Sequence, residues 1–362
     1  MKTTNFAARR PRNGDALTSP YSFPNRQTMK RRHKLVLFFF AWSTLTLFPQ
    51  SNNLPILIGP YLGQKPPGMT PEIFAPGIVS TCLNELNSVF SQDGQEFYFC
   101  VRNMGASSLF VMKCAQGVWG RPVPLPFAGP YDDIDVSLAP DGQRLFFCSN
   151  RPVAGIGAPK EDHDIWMCER QEGTWGPPIH LENAVNSPRD DFFPIVTKNK
   201  TLYFNSQRAG PGTNDIYMCL WVDGKYAPAE KLGPEINSEF REFDAFVVPD
   251  EDFIIFSSQR PADDQFGDLY ISFKTQEGAW TTAVNMGKGV NARGPEFGTV
   301  LSPDGKFLFF TRQAALRVVR HADSPLTYDD YVKMHNSPDN GSSNIWWVDA
   351  KIIEELRPGK AK

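Results

Sequence analysis

Pro140-Asp141-Gly142-Gln143-Arg144-Leu145-Phe146-Phe147-Cys148-Ser149-Asn150-Arg151 is the stretch from which the rest of the chain can be read. Asp-Gly ahead of an apolar run marks a tight hairpin, because both residues tolerate the positive φ such turns demand. The run that follows is short, apolar and closed by an arginine. The same pattern returns at Phe97 to Arg102, Leu202 to Arg208, Ile254 to Arg260 and Leu308 to Arg312. Turns precede them at Gln92-Asp93-Gly94, Pro249-Asp250-Glu251 and Pro303-Asp304-Gly305, whereas the third unit has Lys198-Asn199-Lys200.

Working outward, a third strand opens at Ser108, Asp164, Asp215, Asp268 and Asn344 in the successive units. A fourth follows Gly117-Val118-Trp119, Gly173-Thr174-Trp175, Gly224-Lys225-Tyr226 and Gly278-Ala279-Trp280, and ends at Asn186-Ser187, Asn237-Ser238 and Asn291 in units two to four. Four strands repeating about every 50 residues define the blade of a β-propeller. A lone blade cannot bury both faces, so neighbouring blades must cover them, and the recurring aromatics fill the wedges between sheets. The fold class is therefore all-β: four-stranded antiparallel blades over residues 70–355, five in number, with six as the alternative if 50–80 or 313–343 hides a degenerate unit. The fifth unit lacks a fourth strand. Thr70 to Ser80 has the look of one, which predicts a ring closed by pairing an N-terminal strand with the last blade.

Ser-Pro-Asp-Gly turns, Leu-Phe-Phe…Arg strands and Asp-Ile-Tyr strands resemble the WD40-like propeller repeat of the TolB family, the periplasmic part of the Tol–Pal system. The resemblance covers about residues 70–355. It is specific as to the propeller fold and says little of function, since the repeat serves envelope proteins, binding scaffolds and peptidase accessory domains alike.

The 362 residues carry a net charge of −3. No global basic field points to nucleic acid. Residues 1–50 read as a leader: a polar extension, then Met29-Lys30-Arg31-Arg32-His33-Lys34 before the apolar run Leu35 to Phe48. A basic stretch before a short apolar run is the layout of a signal peptide, and the run falls short of the ~20 residues a membrane span needs. Met29 is a plausible start, and an uncleaved leader would leave a membrane anchor. Residues 51–69 read as a linker and 356–362 as a tail. Of the six cysteines, Cys148 and Cys168 could be neighbours across two strands; none shows zinc spacing.

Counting fourteen residues back from the shared phenylalanines Phe99, Phe147, Phe204, Phe256 and Phe310 lands on Glu85, Asp133, Asp190, Glu242 and Glu296. The arginines Arg102, Arg151, Arg208, Arg260 and Arg312 lie just downstream of those phenylalanines. With the turn midway, acid and arginine face each other at one end of each hairpin. This predicts an acidic ring around the channel mouth, its members paired with the arginines and structural in role. Two long loops break the symmetry on the same face. One holds Lys160-Glu161-Asp162-His163; the other, residues 313–343, holds Arg317, Arg320, His321, Tyr328, Asp329 and Tyr331, with a short helix over 325–335 started by Ser324. Long loops on a rigid ring are where ligand contacts concentrate, so His163, Arg317, Arg320, His321, Tyr328, Asp329 and Tyr331 are the ligand-binding candidates. Catalytic and metal residues: none are assigned. No cofactor is expected, with a calcium ion at the channel mouth left open.

These readings combine into an exported, monomeric, non-enzymatic scaffold, periplasmic or secreted, that binds a protein or envelope polymer on its loop-rich face. The membrane would enter only through an uncleaved leader. The alternative is a glycan-processing or other hydrolase working through loop 313–343.

Overall fold

The computed structural model describes residues 55–103, 106–154, 156–261, 267–292, 294–313, 326–338 and 340–359. By internal contacts the chain divides into Met1–Asn52 and Asn53–Lys362. The first unit, with the whole leader, lies outside the described residues. The second is a five-bladed propeller.

Each blade is an antiparallel sheet, and in blades 1 to 4 the four strands follow chain order. Blade 2 shows the plan: Asp133–Leu138, Arg144–Ser149, Asp164–Gln171 and Ile179–His180. Blade 3 repeats it from Asp191–Val196 and blade 4 from Glu242–Val247. Blade 1 runs from Glu85–Phe90 to the short outer strand Val123–Pro124. First strands of successive blades touch all the way round, blade 5 against blade 1 included, so five units complete the circle. The outer strand of blade 5 is Glu72–Ile73, paired with Ser343–Asp349 in the register Glu72 to Trp347 and Ile73 to Trp346. The predicted N-terminal closure is thus the observed one.

One side-chain device repeats at each outer segment. Asn186 accepts from the Ile165 N–H and donates to the Ile165 carbonyl; Asn237 does the same to Ile216, and Asn291 to Leu269. At the closure, the Ser80 hydroxyl replaces the amide and bonds both groups of Ile345. The closing segment is therefore docked like the regular outer strands. Behind it, Phe74, Phe309 and Trp347 form a fully buried aromatic group, Phe74 lying 5.1 Å from Phe309 and 5.2 Å from Trp347 between ring centroids.

Every first strand carries a β-bulge at its third residue: Asn87, Asp135, Phe193, Asp244 and Gly298. All five have positive φ, between 44° and 60°. A bulge with a left-handed residue turns one side chain out of the ladder toward the channel. Three of the five are Asn or Asp and one is Gly, the types that tolerate this backbone.

The third hairpin is one residue shorter than the others. Five residues separate the last pair, Val196 and Leu202, where blade 2 has six between Leu138 and Leu145. The cysteines are all free. Cys148 pairs with Ile165, and Cys168 with Leu145, so the two cysteines are not opposite one another.

Candidate functional site at the channel mouth

The starts of first strands and the ends of second strands meet on one face, as the turn positions require. Here four blades lock an arginine onto an acid. Arg151 donates from Nη2 to both oxygens of Asp133 at 2.8 and 2.9 Å, and Ser149 Oγ accepts from its Nε. The guanidinium also stands 5.0 Å from the Phe147 ring centre and 5.7 Å from that of Trp166. Arg312 reaches Glu296 at 2.8 Å, and Arg260 reaches Glu242 at 3.4 Å. In blades 3 to 5 the same arginine also donates to a carbonyl of the preceding outer segment, at Val185, Ile236 or Val290. The arginine thus fastens one blade to the next.

Two members of the expected set behave differently. In blade 3 the partner of Arg208 is Asp191, at 2.9 Å, and not Asp190. The hairpin shortened by one residue moves the acid one place along the chain. In blade 1, Glu85 sits opposite Val101, leaving Arg102 one register step beyond. Successive strand residues point to opposite faces, so Arg102 turns away. Thr81 bonds both Glu85 oxygens instead, through its N–H and its hydroxyl. Arg102 is exposed and has no ion-pair partner among the described residues. By contrast Glu85, Asp133, Asp191, Glu242 and Glu296 are each 1% exposed or less. None lines the channel opening, so the acidic ring belongs to the blade interior.

The opening itself is a cavity of about 350 Å³ whose lining includes Arg102, Asp132, Asp135, His163, Arg241 and Asp244. Two of its three acids, Asp135 and Asp244, are bulge residues. Burial pushes Asp135 up to about 6, against the opposing pull of the Phe193 N–H and the Asn87 amide. Burial, then the nearby Asp135 charge, raises Asp244 well above the usual carboxylate range, while the Gly298 N–H bonds it. Among the described residues, no three His, Cys, Asp or Glu side chains converge as a metal set.

Of the ligand candidates among the described residues, His163 alone lines this cavity. Its Nδ1 lies 3.2 Å from Asp190 and its Nε2 3.1 Å from Asp132, so it bridges blades 2 and 3. Burial opposes protonation, but the two carboxylates outweigh it and hold the imidazole at about 9. The bond from His163 in turn keeps Asp132 well below the ordinary carboxylate range. His163 is therefore a positional clamp as well as a cavity wall. Lys160 is held by Asp164 and Asp162.

Tyr328, Asp329 and Tyr331 lie on a helix, Tyr328–His335, capped by Thr327 with Asp330 in a reciprocal box; Thr327, and not Ser324, is the N-cap. No residue of this helix is buried, and Tyr328 is 82% exposed. These side chains do not line the mouth cavity. Arg317, Arg320 and His321 lie outside the described residues. Sequence reasoning missed the bulge ring, although a polar residue or glycine two places after each acid in four units (Asn87, Asp135, Asp244, Gly298) was a usable signal.

The fold and site define a class, a five-bladed propeller of four-stranded antiparallel blades with a polar channel mouth. No family model matches the chain. One curated protein, a glutamate–tRNA ligase of Natronomonas pharaonis, is 27% identical over 120 residues, 33% of this chain; the match spans only 20% of that ligase. Similar solved structures include a putative TolB from Agrobacterium tumefaciens, with TM-score 0.43 and 16% identity over 74% of this chain and 90% of that one. TolB from Acinetobacter baumannii has TM-score 0.43 and 12% identity over 74% and 57%. An endo-arabinase from Bacteroides thetaiotaomicron has TM-score 0.44 and 13% identity over 74% and 98%. The propeller assignment rests on the strand pairing itself.

Proposed function

We propose that this protein is a non-enzymatic recognition scaffold, exported from the cytoplasm, which docks a protein partner on its loop-rich face. The observation that carries the reading is the fifth-blade helix: it projects Tyr328, Tyr331 (54% exposed) and Val332 (38% exposed) from a rigid ring. Tyrosine presents a large amphipathic surface at little entropic cost and is enriched in interfaces. Export is supported by the basic stretch ahead of Leu35 to Phe48. Among the described residues no helix is long and apolar enough to cross a membrane.

The test is capture from an envelope extract with the full chain as bait, beside Tyr328→Ala with Tyr331→Ala. Loss of a specific partner in the double variant supports the reading. A hydrolytic activity that disappears in the same variant would replace it with the enzyme alternative. Cell fractionation of a form lacking Leu35 to Phe48 tests export; an unchanged location would remove that half of the proposal.

A further inference from the structure

The mouth cavity separates its charges by exposure. At the rim stand Arg102 and Arg241, both exposed and without an ion-pair partner among the described residues. At the floor lie Asp135, 5% exposed, and Asp244, half-buried, again with no lysine or arginine in ion-pair range among the described residues. Between them the wall carries the apolar side chains of Ile134, Phe192, Phe243 and Phe297 beside Asp132 and His163. A third acceptor joins the floor. Asn87 is 2% exposed; its Nδ2 donates to Asp135, but its Oδ1 is buried with no hydrogen-bond partner among the described residues.

A buried acceptor without a donor is unfavourable, and so are two little-exposed carboxylates with no cation in ion-pair range, the nearby His163 being engaged by Asp132 and Asp190 and acting on Asp135 only at a distance. A single ammonium relieves all three, because it carries a positive charge and three N–H donors. An alkyl chain matches the apolar side chains of the wall, and a carboxylate at its far end matches the guanidiniums of Arg102 and Arg241. We propose that the channel mouth binds an ω-ammonium carboxylate, the chemistry of a lysine at the C-terminus of the partner protein. Its ammonium meets Asp135, Asp244 and Asn87 Oδ1, and its carboxylate meets Arg102 and Arg241. This rests on the recognition reading above and names the chemistry recognised at the mouth.

The experiment is calorimetric titration of the full chain with 6-aminohexanoate, hexanoate and hexan-1-amine, and with one peptide ending in lysine as free acid or as amide. We expect 6-aminohexanoate to bind at least tenfold tighter than either single-charge analogue, and the peptide acid to bind tighter than its amide. Asp244→Asn keeps the shape and an acceptor while removing the charge, and should cost at least tenfold. Arg102→Ala with Arg241→Ala should abolish the preference for the acid over the amide. Equal binding of hexanoate and 6-aminohexanoate, or unaltered preference in the double arginine variant, overturns the proposal. Should Asp244→Asn fail to fold, the arginine pair decides, since both residues are exposed. Binding of the free amino acid but not of the peptide acid would overturn the assignment to a partner's end. If the tyrosine variant loses its partner while the mouth variants retain it, this inference fails and the recognition reading stands. If the probes bind and no partner is recovered, the outcome is reversed.

Discussion

Blade 1 and blade 2 start from nearly the same hairpin and put their arginines to opposite uses. Arg151 is 5% exposed, bonded to Asp133 and framed by aromatic rings. Arg102 is exposed at the channel mouth while Thr81 holds its would-be partner, Glu85. The cause is a single register step: Glu85 faces Val101, whereas blade 2 turns out of its strand after Ser149 and brings Arg151 back over Asp133. A one-residue offset in a strand reverses the face a side chain occupies. A repeat can thus turn one copy of a structural residue out to solvent while its other copies hold the ring together.

The strongest way to break this comparison is Arg151→Ala. It leaves Asp133 charged and buried, and removing one partner of such a pair costs about 3–5 kcal/mol. Denaturant unfolding should show a loss of that size; a loss under ~1 kcal/mol would mean the pair is not what fixes the hairpin. Next, Asp191→Ala should destabilise by about 2–4 kcal/mol and Asp190→Ala by only ~1 kcal/mol, measured the same way. The reverse order would return the blade 3 acid to Asp190.

A pH profile sharpens the contrast between the clamp and the locks. The His163 pKa is raised in the folded protein to about 9, so its contribution is fully present below about 6.5 and is lost as pH rises through 9. At ~1.4 kcal/mol per unit this amounts to roughly 3–4 kcal/mol. Asp135, raised to about 6, and Glu296, raised to about 7, likewise lose stability as pH rises through those values. His163→Gln should flatten the stability curve between pH 6.5 and 9 and leave the steeper fall below pH 7 in place. A persisting slope above pH 7.5 in that variant would assign it elsewhere. The smallest effect belongs to Arg102→Ala, which should change stability by less than about 0.5 kcal/mol because the side chain touches no buried partner.

Much of the architecture was legible because it recurs. The Asp-Gly turns, the apolar runs and the aromatics after each glycine turn are local signals, and five copies reinforce one another. Closure by residues 70–80 was legible from the missing fourth strand. The site was less so. Counting back from Phe204 selected Asp190, since a count assumes equal hairpins, and blade 3 has one residue fewer in its turn. Placing Arg102 with the other arginines failed for a different reason: its hairpin is as long as that of blade 2, but Arg102 stands one residue past the position opposite its acid where Arg151 stands two, and that reverses its face.

What the sequence by itself determined is the blade, its repetition and the face on which the loops gather; turn chemistry and strand alternation are properties of adjacent residues. Which acids see the channel was decided only by the tertiary structure. Bulges turn Asn87, Asp135 and Asp244 inward, and these three face a common opening only when five blades close around an axis. Burial in that opening then raises the Asp135 and Asp244 carboxyls. Closure sets both the company a residue keeps and the water it loses, and neither is encoded by its neighbours in the chain.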